Sequence, residues 1–163
     1  MKLLSRRLLD ELAVQAAASP RARAHHTLHA TPADPVQRFV VVAAAQSYFR
    51  PHRHAARSEL AVIVRGRFDV LTFDGDGQVT ARYATGDGTD TVAYETPQGT
   101  WHTLVPGANG GAFVEIKQGP YDPATAAEFA VWAPAEGDAS VPHFLAWLRS
   151  AQPGAVVPGA SSA

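Results

Sequence analysis

Between Val36 and Lys117 the chain passes through six stretches rich in β-branched and aromatic residues: "VQRFVVVAAAQSYF", "ELAVIVRGRFDVLTF", "QVTARYA", "TVAYE", "TWHTLV" and "GAFVEIK". Turn sequences part them: "DGDG" at 74–77, "GDG" at 86–88, "PQG" at 97–99 and "GANGG" at 107–111. β-Branched and aromatic side chains suit a pleated, half-buried surface, whereas Gly, Pro, Asn and Asp supply the backbone angles of tight turns. Short strands at this spacing restrict the chain to a mainly β fold, an antiparallel sandwich or barrel.

Flanking segments read differently. Leu3, Leu4, Leu8, Leu9 and Leu12 recur at helical spacing, which predicts an amphipathic helix over 3–18, ended ahead of Pro20. "SPRARAHHTLHATPADP" is polar and proline-punctuated and reads as irregular. "DPATAAEFAVWAP" opens like a short helix with Asp122 as cap and Pro123 at its first position. "SVPHFLAWLRS" reads as a final helix capped by Ser140, and "QPGAVVPGASSA" as a loose tail. The organisation expected is an N-terminal helix and arm (1–35), a barrel (36–120), a C-terminal helical segment packed on it (121–152) and the tail (153–163). A chain of 163 residues suggests one domain with its own core.

Composition narrows the function. There is no cysteine, so disulfides, thiolate ligands and cysteine nucleophiles are excluded. A net charge of −1 gives nucleic-acid binding no support. Charges at Arg6, Arg7, Asp10 and Glu11 interrupt any signal-peptide core, and no apolar run approaches the roughly 20 residues of a membrane helix. A cytoplasmic protein without membrane contact is expected. "DGDGQVTARYAT" begins like a calcium loop, but Val79 and Thr85 occupy the positions that require glycine and glutamate. "RSELA" lacks the context of a nucleophile elbow, and no phosphate-binding Gly-Lys-Ser/Thr loop occurs.

Chemistry concentrates in "PHRHAARSELAVIVRG". His52 and His54 are two residues apart, so on a strand they share a face, roughly 7 Å apart along it. Glu59 follows beyond a short turn, and "PQGTWH" delivers His102 downstream. Three imidazole nitrogens and one carboxylate oxygen suit a single divalent ion: Fe(II), Mn(II), Ni(II) or Zn(II).

"HRHAARSELAVIVRG" followed by "PQGTWH" resembles the paired signature motifs of the cupin superfamily. The resemblance implies a double-stranded β-helix, a jelly-roll barrel, with His52, His54, Glu59 and His102 as the metal ligands. Gln46 stands where the first motif usually has glycine, and Pro106 where the second often ends in asparagine. Neither departure removes a ligand. More widely, "SPRARAHHTLH", "DPVQRF", "SYFRPHRH", "FDGDGQV", "GTWHTLV" and "VEIKQGPYDPATAAEFAVWAP" are similar to the WbuC family of cupin-fold metalloproteins. That family takes its name from a bacterial O-antigen gene cluster. Thr27 replaces its usual asparagine, and Ser58 a tryptophan often found before the glutamate. Cupins commonly pair through their sheets, so a homodimer is expected, with the apolar run "FVVVAAA" as the contributing edge.

Four ligands leave one or two positions open on an octahedral ion, the mark of a site that meets a small-molecule ligand. Glu115 and Lys117 alternate with Val114 and Ile116, which places them on one strand face; the functional reading puts that face in the lumen. Arg50 can share the histidine face by alternation, whereas Arg53 points away. Tyr48 and His29 complete the candidate ligand-binding set. The cluster of His25, His26 and His29 lacks a carboxylate at sensible spacing and reads as packing or pocket rim rather than a second metal site. Two functions follow: a metalloenzyme acting on a small polar metabolite, such as a sugar or nucleotide-sugar in surface-polysaccharide synthesis, or a non-catalytic metal-dependent binding or sensing module.

Overall fold

A computed structural model describes residues 1–158. The first element, α1 (Arg6–Ala18), starts three residues later than its leucine spacing predicts. The reason is local: the Ser5 hydroxyl accepts the Leu8 N–H at 3.1 Å, so Ser5 caps the helix and Leu3 stays outside it. Strands β1 (Arg23–Thr27), β2 (Val36–Ala43), β3 (His52–Arg53), β4 (Glu59–Phe73), β5 (Val79–Gly86), β6 (Ala93–Thr96), β7 (Trp101–Gln118) and β8 (Glu128–Phe129) follow, and α2 (Val141–Ser150) closes the series.

Two long strands organise the barrel. β4 and β7 run antiparallel along their whole length, from Glu59 opposite Lys117 to Phe73 opposite Trp101. Their pairing slips at Ile63/Arg65 and again at Gly66/Phe68, and there both strands turn a corner. Beyond the corner they enter a second sheet. One sheet runs β1-β2-β7-β4-β6; the other runs β8-β3-β7-β4-β5. Glycine is required at the corner. Gly66 has φ +70°, and a Cβ there would lie 2.3 Å from the Gly110 carbonyl oxygen. Hence "GANGG" does not end a strand, as its composition predicts; it lets β7 bend without breaking.

A helix covers part of each outer face, so the strands carry outward apolar residues there as well as inward ones. Leu9 and Leu12 of α1 pack on Val40, Val42 and Ala112. Phe144, Leu145 and Leu148 of α2 pack on Leu71, Phe73, Val79 and Val105. Ile63, Phe68, Leu104 and Phe113 fill the closed end of the interior.

Four further sequence expectations are corrected. The segment at 23–27 is not irregular: β1 pairs with β2 from Arg23↔Ala43 to Thr27↔Phe39, and its polarity reflects the exposure of a sheet margin. "FVVVAAA" consequently is not an edge, because β2 lies between β1 and β7. Asp122 does cap a turn, accepting Ala124 N–H at 2.9 Å, but no helix grows from it. The Ala126 carbonyl is taken by His54, and Glu128 and Phe129 pair with Arg53 and His52. Residues 153–158 are not loose: Val157 is buried, Val156 bridges Gln78, and Val79 N–H bonds the Ala155 carbonyl at 2.8 Å. The rest of the expected tail, 159–163, lies outside the described residues. The last helix forms where its pattern predicts, although the Ser140 hydroxyl bonds Asp138 at 2.7 Å instead of a helix N–H.

Candidate metal centre

His52 of β3 stands directly opposite His102 at the start of β7, so both imidazoles leave the sheet on the same side. His54 follows at the next inward position, and Glu59 opens β4 across the lumen. One donor atom from each of the four residues falls within 4.8 Å of all the others. The ring centroids of His52 and His102 are 4.4 Å apart, and those of His52 and His54 5.1 Å. His54, Glu59 and His102 are buried.

The backbone fixes the tautomer of each ring. His52 Nδ1 bonds the Arg50 carbonyl at 3.0 Å, His54 Nδ1 the Ala126 carbonyl at 2.6 Å, and His102 Nδ1 the Thr100 carbonyl at 2.9 Å. A carbonyl oxygen only accepts, so each Nδ1 carries a hydrogen and each neutral ring presents its Nε2 lone pair inward. Glu59 adds two more acceptor oxygens, 2.9 Å from His54 Nε2 and 2.8 Å from His102 Nε2. His54 Nε2 and Glu59 Oε2 are buried and lack a hydrogen-bond partner. Acceptors facing acceptors in a buried site require a cation between them, and this donor set fits one divalent ion.

In the metal-free chain a proton takes part of that role. Burial opposes charge on His102, but its hydrogen bond to Glu59 and the carboxylate's charge outweigh burial and raise the imidazole above its ordinary 6.5. Burial would likewise raise Glu59, yet the hydrogen bond to His102, the adjoining His54 imidazole, and the charges of His102 and Lys117 hold it well below the usual carboxylate range. His52 is pushed down to about 3, by burial first and then by the charge of His102, and stays neutral.

Glu115 and Lys117 line an opening of about 390 Å³ that His52, His54 and Glu59 also line. Lys117 Nζ lies 2.6 Å from Glu115 and 3.8 Å from Glu59. Burial lowers Lys117, but the charges of Glu115 and Glu59 prevail and raise it, so it remains an ammonium. Burial raises Glu115, and Glu59 adds to the effect. Arg50 also lines the cavity and donates to the Ala130 carbonyl at 2.7 Å.

Tyr48 and His29 do not line it. Tyr48 packs edge-on to Phe144 and donates to the Pro134 carbonyl at 3.0 Å. His29 accepts Arg38 N–H at 3.0 Å and packs against Phe39, so it supports the cavity wall from behind. His25 reaches the rim; His26 is exposed.

Three residues escaped the sequence reading. Phe39 faces inward, opposite Glu115, and strict alternation with Val40 and Val42 marks it. The Tyr94 hydroxyl is buried without a partner and raised well above its ordinary value by burial, then by Glu59 and Glu115. It stands opposite Ala61, a cross-strand register that the sequence pattern does not give. Glu136 binds both Arg21 and Arg23 at the cavity mouth, and no local signal links residues so far apart.

A family model described as "Domain of unknown function (DUF6016)" matches residues 4–85, a span holding His52, His54 and Glu59 but not His102. No curated protein matches. Among solved structures, an oxalate oxidase complexed with the substrate analogue glycolate shares 15% identity at TM-score 0.52, covering 69% of this chain and 57% of its own. The capsular polysaccharide assembling protein CapF from Staphylococcus aureus shares 18% at 0.54, covering 64% and 31%. Oxalate decarboxylase from Bacillus subtilis shares 16% at 0.51, covering 66% and 27%. The chain thus spans little more than half of the first and under a third of the others. At these identities the likeness concerns the fold: a cupin β-barrel.

Proposed function

The chain belongs to that family of unknown function, DUF6016, and we propose that it works as a metal-dependent cupin acting on a small polar metabolite. The observation that carries this is the set of three imidazoles, each locked by a backbone carbonyl with Nε2 inward, meeting Glu59 at a common point. His52, His54, Glu59 and His102 would hold one ion of Fe, Mn, Ni or Zn, and when bound it supplies Lewis-acid chemistry at a ligand oxygen.

The chain's own residues do the rest. The Arg50, Ala126 and Thr100 carbonyls keep the rings oriented. Lys117 holds a positive charge beside Glu115 at the lumen wall, where it orients anionic or hydroxyl oxygens. Phe39, beside Lys117, and Phe49 and Phe113 line the cavity and exclude water. A place in the WbuC family, with a sugar or nucleotide-sugar substrate in surface-polysaccharide synthesis, belongs to the same proposal. So do a cytoplasmic location and pairing of two copies; among the described residues no helix is long and apolar enough to cross a membrane.

Cobalt(II) substitution tests the enzyme reading against a purely structural ion. An open position predicts a five- or six-coordinate spectrum that shifts when azide is added. A tetrahedral spectrum indifferent to azide would favour a non-catalytic module instead.

A further inference from the structure

Four cationic side chains line the cavity: Arg21, Arg23, Arg50 and Lys117. Three are answered by carboxylates. Glu136 pairs with Arg21 at 2.5 Å and also with Arg23, and Glu115 pairs with Lys117. Arg50 differs. One of its terminal nitrogens donates to the Ala130 carbonyl, its Nε is buried without a partner, and among the described residues no carboxylate pairs with it. A guanidinium cannot shed its charge to escape this position, and a buried donor left without an acceptor is costly.

The placement of Arg50 gives that unpaired donor meaning. It precedes His52 by two residues, and its own carbonyl holds the His52 ring. The Phe129 ring lies 5.4 Å from the Arg50 guanidinium carbon and 6.0 Å from the His52 ring, so the two residues share one aromatic neighbour in the cavity they both line. Phe39, Val41, Phe49, Leu104 and Phe113 form an apolar wall that offers a charged ligand nothing. Counted over the lining, four cations face three carboxylates, Glu59, Glu115 and Glu136, and a divalent ion widens the surplus.

Building on the metal-binding reading, we infer that the cavity takes a small anion whose carboxylate or phosphate group docks on Arg50, with a neighbouring hydroxyl or carbonyl oxygen left to face the metal. Arg50 presents planar donors that match either group, and the cavity volume suits a ligand of a few to a dozen heavy atoms. Lys117, already engaged by Glu115, is left to meet a second polar group.

Calorimetric titration of the metal-loaded protein tests this, with glycolate, malonate and inorganic phosphate as probes and ethylene glycol as the uncharged control. Glycolate is expected to bind at least tenfold more tightly than ethylene glycol, and Arg50→Gln to weaken it at least tenfold. Arg53→Gln, which removes an exposed arginine paired with Glu128, is expected to change it less than twofold. Tighter binding of phosphate than of malonate assigns the group as phosphate; the reverse order assigns a carboxylate. Should Arg50→Gln not fold, Arg50→Lys replaces it, with at least threefold weakening expected from loss of the Nε donor. Metal content is measured on every sample, and malonate is also titrated into metal-stripped protein. A chain that retains no ion defeats the metal reading, while Arg50-dependent malonate binding without metal still upholds the anion site. Equal binding by wild type and Arg50 variants, or no binding of any anion, overturns the inference.

Discussion

His102 meets Glu59 through Nε2 while the Thr100 carbonyl holds its Nδ1, so one imidazole stores a proton in the metal-free chain and is, in the proposed loaded chain, a ligand. Replacing it with alanine removes the one of the four clustered donors that β7 supplies. Metal affinity should fall by more than the roughly 10- to 100-fold that losing an outer partner of a ligand costs. Circular dichroism on the same sample should keep its β signature, because a chain of 163 residues buries a core large enough to fold without an ion. Full occupancy in His102→Ala would exclude it as a ligand.

The pH dependence of the metal-free protein follows from the same groups. His102 is raised in the fold, so its contribution is complete below 6.5 and is lost as pH rises through its folded value. His52 is depressed to about 3, so the fold loses stability as pH falls from 6.5 toward 3; Glu59, held low, adds to that loss below about 4.5. Melting temperature should therefore peak near pH 6.5. A bound ion replaces the His102 proton and should remove the alkaline decline. A metal-free melting temperature that climbs steadily to pH 9 would contradict these assignments.

At the scale of elements, the corner of β4 and β7 depends on glycine. Gly66→Ala places a methyl against the Gly110 carbonyl at a left-handed backbone position and should cost more than about 1 kcal/mol in denaturant unfolding. Leu148 of α2, fully buried, should cost about 2–5 kcal/mol on truncation to alanine while metal content stays unchanged, since α2 packs on the sheet's outer face. Loss of metal in Leu148→Ala would show that the two faces are coupled. The β-rich stretches and both helices were legible because their periodicity is local. β1 was not, because a strand at a sheet margin shows polar residues that read as loop. Nor was the turn after Asp122: its cap is real, but His54 takes the Ala126 carbonyl and Glu128 and Phe129 pair with β3.

At the scale of the molecule, the convergence of His52, His54, Glu59 and His102 was legible because their spacing survives in one local motif and one histidine. The cavity mouth was not. Glu136 reaches Arg23 across 113 residues, and Tyr48, placed by sequence near the ligand, packs under α2 instead. Those contacts depend on how the C-terminal segment wraps the barrel. Pairing of two copies also belongs to this scale. With β2 internal, an interface must use a margin such as β1, and light scattering at micromolar concentration should give twice the chain mass; a monomer mass removes the idea.

The central claim is that His52, His54, Glu59 and His102 hold one divalent ion. Elemental analysis of protein purified without a metal-affinity tag, then offered iron, manganese, nickel and zinc in turn, tests it most directly. The account predicts close to one ion per chain for at least one metal, surviving gel filtration and falling away in His102→Ala. Wild-type protein that is folded yet retains none of the four would contradict it.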